Sequence, residues 1–175
     1  MQRSELEHVI RASGEIVDDD EFIIIGNQAI LGQFPDAPAK LLMSMETDIY
    51  PKNSPELADK IDGAIGEGSH FHATHGYYAQ GVGPETAILP KGWQDRLLPV
   101  KNENTNGITG LCLEVHDLAI SKLVANRPKD TAFVSTVVYH EMISHGTMSQ
   151  RLSETDLTGP ERSRINLRIE SMFDS

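Results

Sequence analysis

Cysteine is almost absent from this sequence of 175 residues, in which Cys112 stands alone. A single cysteine cannot form a disulfide within the chain, and a cysteine-rich zinc site is excluded as well. Long apolar runs are also missing: residues 22–25 form one of the longest, whereas about 20 apolar residues are needed to span a bilayer. The first eight residues lack the basic and apolar regions of a signal peptide. We therefore expect a cytoplasmic protein without a membrane partner.

Basic side chains are scarce, with 15 Lys and Arg against 26 Asp and Glu, and the formal net charge is −11. Such a chain has no general attraction for phosphate backbones, so its charge does not support an RNA acceptor. A chain of this length buries about two-thirds of its unfolded surface and needs no metal or disulfide to fold. We expect one domain over residues 1–150, with residues 151–175 as its helical extension.

Apolar periodicity, caps and turn residues predict the order of the elements. Ser4 caps a first helix that ends near Gly14, and residues 22–25 form a buried strand. Further strands are predicted at residues 41–50, 77–82, 86–89 and 108–113, and further helices at residues 55–65, 115–126, 128–145 and after Pro160. The fold class is therefore α/β or α+β, with one mixed sheet flanked by helices and C-terminal helices.

Two acids, Glu46 and Asp48, stand two residues apart in a predicted strand and therefore share one face of it. Side-by-side carboxylates repel unless a cation lies between them, and Mg²⁺ prefers such oxygen ligands. Gly26 and Asn27 follow the buried strand, where a helix start could admit a phosphate. Taken alone, two exposed acids on an edge strand explain the pattern more simply.

A second segment carries Lys122 on a predicted helix, followed by Arg127, Pro128 and Asp130. The Lys122 side chain either extends from the edge of the core into solvent or binds a triphosphate through its positive charge. Pro128 suits the first position of a helix, and Asp130 then lies in the first turn, where the helix dipole favours an acid. Arg127 can pair with Asp130, and this capping role explains Asp130 without any ligand.

These segments together resemble a bacterial nucleotidyltransferase-like family. Residues 26–29, 46–51 and 117–130, with residues 71–87 between them, are similar to the DUF6036 and AbiEii-type proteins of the DNA polymerase β superfamily. The similarity extends over roughly residues 22–139. It implies a nucleotidyltransferase fold, binding of Mg²⁺ and an NTP, and transfer of a nucleotidyl group. Several relatives are toxins of toxin–antitoxin pairs that modify RNA ends.

The resemblance also implies roles for individual residues. Gly26 and Asn27 would form a phosphate-facing turn, and Glu46 and Asp48 would be metal ligands. Lys122 would contact the triphosphate, and Arg127 and Asp130 would order the site. The chain departs from the family pattern in Asn27, where Ser or Gly is usual. If Asp48, and not Glu46, is the first acid of the family's pair, Tyr50 occupies the second place and cannot bind Mg²⁺. A third acid is not evident, and its nearest candidates are Gln80, Glu85 and Glu114.

Histidines supply two other patterns. His70 and His72 would share a face of a strand, but no convincing further zinc ligand accompanies them, and we expect a surface or turn cluster with His75. His140 and His145 are five residues apart, so they do not share a helix face as a zinc protease requires.

Three hypotheses follow. The first is a Mg²⁺-dependent nucleotidyltransferase that uses Glu46, Asp48 and Lys122. The second is a catalytically degenerate binding component of a toxin–antitoxin or phage-defence module, with a basic partner protein encoded nearby. The third is an acid–base hydrolase that needs no metal. A homodimer through an exposed helix face, such as that of the C-terminal helix, is compatible with each of them.

Overall fold

The computed structural model describes all 175 residues and contains five β-strands and eight α-helices. The predicted α+β class, with a mixed sheet and C-terminal helices, is confirmed. The strands are β1 (Glu21–Ile24), β2 (Glu46–Pro51), β3 (Tyr78–Gly81), β4 (Leu98–Val100) and β5 (Thr109–Cys112). The helices are α1 (Arg3–Ile16), α2 (Ile30–Gln33), α3 (Ala58–Ile65), α4 (His70–His75), α5 (Val115–Ala125), α6 (Pro128–Tyr139), α7 (His145–Ser153) and α8 (Gly159–Phe173).

The chain divides into two compact units. Residues 1–86 and 97–114 form the first unit, which holds the whole sheet and α1 to α4. Residues 87–96 and 115–175 form the second unit, which holds α5 to α8. The expected boundary near residue 150 stays a prediction. None of the helices is long and apolar enough to cross a membrane.

The sheet is mixed, with the strand order β3-β2-β1-β5-β4. β1 runs antiparallel to β2 and parallel to β5, while β2 runs parallel to β3. Phe22, Ile23 and Ile24 of β1 are all buried, as expected for a continuous apolar run in the middle of a sheet. The buried strand predicted at residues 22–25 is therefore confirmed.

The two faces of β2 have different surroundings. Thr47 and Ile49 are buried, and the Thr47 hydroxyl lies 3.2 Å from the sulfur of Met1, which precedes α1. Gly81 of β3 meets the backbone of Ala58 on α3, so the small residue lets the helix approach the strand. Because side chains alternate along a strand, the half-buried Glu46 and Asp48 lie on the other face.

The region of residues 70–89 differs from the prediction. Residues 70–75 form α4 rather than a strand, because the Ser69 side chain caps it by accepting a hydrogen bond from His72 N, and Gly76 ends it with a φ of 80°. The strand-face arrangement considered for His70 and His72 is therefore wrong. Residues 86–89 form no strand either: a 3₁₀ turn ends at Thr86, and residues 87–89 belong to no helix or strand.

The helix predicted over residues 128–145 ends six residues early, and a separate helix, α7, begins at His145. α6 begins at Pro128 as expected, but it ends at Tyr139, and Glu141 adopts the left-handed conformation with a φ of 54°. The Ser144 side chain then caps α7 by accepting a hydrogen bond from Thr147 N. A residue in the left-handed conformation interrupts the α-helical backbone, and the apolar pattern of the sequence does not reveal this break.

α1 is longer than predicted at both ends. Gln2, not Ser4, is its N-cap and shares a capping box with Glu5. Gly14 does not end the helix, which continues to Ile16. A Cβ at Gly14 would lie 2.6 Å from Ile108 Cγ1, so this glycine is kept for close packing rather than for a turn. Cys112 is fully buried, and burial raises the pKa of its thiol to about 12.

A buried carboxylate, Glu7, connects α1 to the segment that precedes β5. Glu7 is only 5% exposed and accepts hydrogen bonds from the amides of Asn102 (2.7 Å) and Asn104 (2.8 Å) and from Arg3 Nε (3.0 Å). Burial alone would raise the pKa of Glu7, but these hydrogen bonds outweigh it and lower the pKa. The ionised form is therefore favoured by folding.

We expect Glu7→Gln to flatten the acid limb of the stability profile. Because the pKa of Glu7 is lower in the folded state, this residue adds stability above the unfolded pKa of about 4.3, and the addition is lost as pH falls through the folded pKa. The free energy of unfolding, measured with urea between about pH 5 and 3, should fall less steeply for the variant than for the wild type. Glu15→Gln, at an exposed position on α1, is the control, and parallel profiles for the wild type and Glu7→Gln would contradict the assignment.

Candidate functional site

Glu46 and Asp48 lie on β2 with the buried Thr47 between them, so both acids occupy the same face of the strand. The parallel pairing with β3 places Tyr78 beside Glu46 and Gln80 beside Asp48. The Tyr78 hydroxyl donates a long hydrogen bond of 3.4 Å to Glu46 Oε2. Four polar side chains thus form one surface on two adjacent strands, which we call the acid face.

The Gln80 amide joins the two acids of this face. With its nitrogen turned toward them, Gln80 donates to Glu46 Oε2 at 3.2 Å and to Asp48 Oδ1 at 3.3 Å. One atom of the amide therefore lies within hydrogen-bonding distance of both carboxylates, which means that the acids face a common point.

Gly26 closes one side of the acid face. The strand pairing continues beyond β1, where Ile25 N donates to Asp48 O at 3.1 Å, and Gly26 follows directly. A Cβ at position 26 would overlap Asp48 Oδ2, so the Asp48 carboxylate occupies the place that any other side chain would take. Asn27 begins the 3₁₀ turn that leads into α2. Only glycine lets this acid lie against the turn.

Gln28 anchors the same turn, a role that the sequence pattern did not indicate. Its side chain is fully buried, and Nε2 donates to Ser44 O at 2.8 Å, two residues before Glu46. The hydrogen bond ties the turn after β1 to the start of β2. A buried glutamine cannot be distinguished from an exposed one by its position in the sequence alone.

The tyrosines near the acid face remain neutral phenols. Burial, together with the negative charges of Glu46 and Glu67, raises the pKa of Tyr78. Tyr50, which follows Asp48 by two residues on β2, is 5% exposed, and burial and the charge of Glu85 raise its pKa to about 12. Tyr50 is therefore no anionic ligand at neutral pH.

The predicted residues Lys122, Arg127 and Asp130 all lie in the second unit, where they form one buried ion-pair group. Asp130 is fully buried and accepts from Arg127 Nε at 2.6 Å and from Arg127 N at 3.2 Å. Lys122 is 6% exposed, and its Nζ lies 3.4 Å from Asp130 Oδ1 and 4.6 Å from the centre of the Phe133 ring. The capping role of Asp130 and its pairing with Arg127 are confirmed.

Charge pairing sets the ionisation of Asp130. Burial alone would raise its pKa, but hydrogen bonds from Arg127 and the charge of Lys122 outweigh burial and lower it. The Arg127 guanidinium is the only member of this group that extends into solvent, with 58% of its side chain exposed. The nucleotide-binding roles of Lys122, Arg127 and Asp130 stay predictions.

A second buried ion-pair group in this unit was missed by sequence reasoning. Asp117 is fully buried and accepts two hydrogen bonds from Arg96, from Nε at 2.7 Å and from Nη2 at 2.9 Å. Arg151 Nε lies 3.2 Å from Asp117 Oδ1. The partners are 21 and 34 positions away from Asp117, and no local pattern connects them. This acid thus serves to hold α5, α7 and the segment before β4 together.

The donor set of the acid face fits a magnesium ion. No group of three or more His, Cys, Asp or Glu side chains forms a metal-binding cluster in this chain, so Glu46 and Asp48 are the only acids that this face would supply. Mg²⁺ is commonly held by one or two carboxylates and completes its octahedron with water and substrate phosphates. The two convergent carboxylates, of which that of Asp48 lies against Gly26, meet this requirement.

The family model that describes a nucleotidyltransferase of unknown function, DUF6036, matches residues 4–171. The chain belongs to the DUF6036 family. No curated protein and no solved structure matches it. The similarity to DUF6036 expected from the sequence is thereby confirmed over nearly the whole chain, and the match includes most of both units of this DUF6036 protein. The kinship with AbiEii-type proteins stays a prediction.

We expect Asp130→Ala to destabilise this DUF6036 protein by about 3–5 kcal/mol, because it would remove the buried carboxylate that pairs with the Lys122 ammonium and with Arg127. Urea unfolding at pH 7 measures the loss. The exposed Asp156 provides the control, and Asp156→Ala should change the free energy of unfolding by less than about 0.5 kcal/mol. Equal stability of the two variants would show that the buried pair does not support the fold.

Proposed function

We propose that this DUF6036 protein is a Mg²⁺-dependent nucleotidyltransferase that transfers a nucleotidyl group from an NTP to an acceptor. The supporting observation is the acid face: Glu46 and Asp48 are directed at a common point beside Gly26. Membership in a nucleotidyltransferase family agrees with the reaction class. The proposal rests on the first unit alone.

Glu46 and Asp48 would hold the metal, which supplies charge neutralisation for in-line displacement at phosphorus. β1 and β3 fix β2 on both sides, so the carboxylates are held in place before any ligand arrives. Because Gly26 has no side chain, the Asp48 carboxylate can lie against the turn that would face the phosphate. The chain's own part is thus to hold oxygen ligands in place.

The distribution of charge supports a metal requirement. The first unit carries 17 acidic and six basic side chains, whereas the second carries nine of each, so the first unit holds the whole formal charge of −11. A triphosphate is itself a polyanion and would be repelled by this unit unless a divalent cation intervened. NTP binding should therefore depend strongly on Mg²⁺.

Asp48→Asn tests the metal assignment, since it keeps the shape of the side chain and removes its charge. We expect the Mg²⁺-dependent affinity for ATP, measured by calorimetry with and without EDTA, to fall by at least about 100-fold. The free energy of unfolding, obtained from thermal melting, should change by no more than about 1 kcal/mol. Asp59→Asn, at an exposed position on α3, makes the same charge change away from the face. Undiminished binding by Asp48→Asn would refute the assignment.

Gly26→Ala tests the space beside Asp48. The backbone at Gly26 has a φ of −88°, which alanine also adopts, but the new methyl group would displace the Asp48 carboxylate. We expect the folded protein to lose metal-dependent binding by roughly tenfold. In the background of Asp48→Asn the same substitution should have little further effect, because the two changes act on one carboxylate.

The matched control for this substitution is Gly63→Ala. Gly63 lies on α3, and a Cβ there meets no atom within 4 Å. That variant should bind like the wild type. A wild-type affinity in Gly26→Ala would show that the exact position of the Asp48 carboxylate does not matter.

A catalytically degenerate binding component of a toxin–antitoxin or phage-defence module is the second candidate. Tyr50 in place of an acid and the lack of a third carboxylate at the acid face favour it. The charge of the first unit would then attract a basic protein partner encoded nearby. Co-purification with such a partner, together with no binding of Mg²⁺ and ATP by the wild type, would favour this candidate over the enzyme.

A further inference from the structure

Gln80 stands where the acid face lacks a third acid. It lies on β3 directly beside Asp48 in the parallel register, and its amide reaches both Glu46 Oε2 (3.2 Å) and Asp48 Oδ1 (3.3 Å). An amide has a donating end and an accepting end of nearly the same shape, and a half-turn about its last torsion angle exchanges them. The same side chain can therefore donate hydrogen bonds to two carboxylates or bind a cation through its oxygen.

We propose that Gln80 is a metal-responsive ligand of the acid face, with its amide nitrogen on the two carboxylates in the metal-free protein and its oxygen on the metal ion in the loaded one. This inference rests on the proposed function, because it takes the cation to be the one that Glu46 and Asp48 would hold. In the free protein the amide hydrogens offset the repulsion between the two carboxylates. In the loaded protein the same position supplies a neutral oxygen.

The backbone around Gln80 keeps its place fixed while its side chain turns. Tyr78 N donates to Met45 O at 3.0 Å and Val82 N donates to Ile49 O at 3.1 Å, on either side of Gln80. Gly81 N donates to Asp62 Oδ1 at 3.3 Å from the other edge of the strand. The change between the two amide orientations therefore needs rotation of the side chain only.

A glutamine at this position also limits what the site can do. An amide oxygen binds a hard cation, but an amide does not take a proton at neutral pH, so Gln80 orients the metal without acting as a general base. The protein donor set then carries two negative charges instead of three. Since ligand charge is one of the factors that set affinity for hard cations, this set should bind the bare ion weakly and depend on phosphate oxygens to complete the shell.

Binding of Mn²⁺ alone, followed by electron paramagnetic resonance of the free ion, tests the proposal without any turnover. Gln80→Met keeps the length of the side chain but removes both ends of the amide, and we expect Mn²⁺ affinity to fall about tenfold. Gln80→Glu supplies a third charge and should raise the affinity by about tenfold. Gln94→Met, at an exposed position in the second unit, is the control and should bind like the wild type.

A second measurement follows the amide itself. The side-chain NH₂ signals of Gln80, assigned by their absence in Gln80→Glu, should shift when Mg²⁺ is added to the wild type and should not shift in Asp48→Asn. Thermal melting of each variant confirms that it is folded. A Gln80→Met protein that does not fold leaves Gln80→Glu and the NH₂ signals to decide the proposal.

The outcomes separate this inference from the proposed function. Mn²⁺ binding that survives Asp48→Asn, or that is absent from the wild type, overturns the metal site and with it the proposed function. Loss of Mn²⁺ binding in Asp48→Asn, with unchanged affinity in Gln80→Met and Gln80→Glu and immobile NH₂ signals, overturns the role of Gln80 alone. Weaker binding by Gln80→Glu than by the wild type also overturns it.

Discussion

The repulsion between Glu46 and Asp48 is the constraint on which the candidate site depends. Two carboxylates that face one point are stable only if the chain prevents them from turning apart or provides positive partners for them. The sheet does the first, because β2 is paired on both sides and its alternation fixes the direction of both side chains. The Gln80 amide partly meets the second condition, because its NH₂ group offers both carboxylates a hydrogen-bond donor with a partial positive charge.

The two units deal with charge in opposite ways. In the second unit, the buried acids Asp117 and Asp130 are each matched by basic side chains, and acidic and basic residues are equal in number. Such pairs contribute little net stability over apolar packing, but the loss of one partner is costly. In the first unit the excess of acids is left on the surface, apart from individual cases such as Glu7. An excess of this kind favours cations and basic partners over nucleic acid.

Local sequence signals predicted those features that depend on local interactions. The apolar run of β1, the start of α6 at Pro128 and the Asp130 cap are set by neighbours within a few residues, and each is observed. The α4 helix at residues 70–75 was predicted as part of a strand region, because its six residues are too few to show a helical period, and only the cap at Ser69 and Gly76 marks it. The break between α6 and α7 at Glu141 could not be predicted, because no glycine or proline marks it.

The candidate site shows the same limit. The spacing of Glu46 and Asp48 was enough to place both acids on one face, because alternation along a strand is a local rule. The neighbours that give this face its character come from elsewhere in the chain: Gly26 through the β1 pairing and Gln80 through the register of β3. Asp117 was part of the similar segment, yet its arginine partners could not be deduced, since they meet it only in the folded chain.

β3 is the last strand of the sheet and has a single strand neighbour. Its other edge is held only at points such as the Gly81–Asp62 hydrogen bond. A strand at the edge of a sheet opens more readily than a central strand, so a cation held by the acids beside β3 would be thermodynamically linked to the order of this strand. A cation bound by both the acids of β2 and Gln80 of β3 would stabilise this edge strand. Because such coupling is reciprocal, a peptide that pairs with the open edge of β3 would change the affinity of the site for the cation.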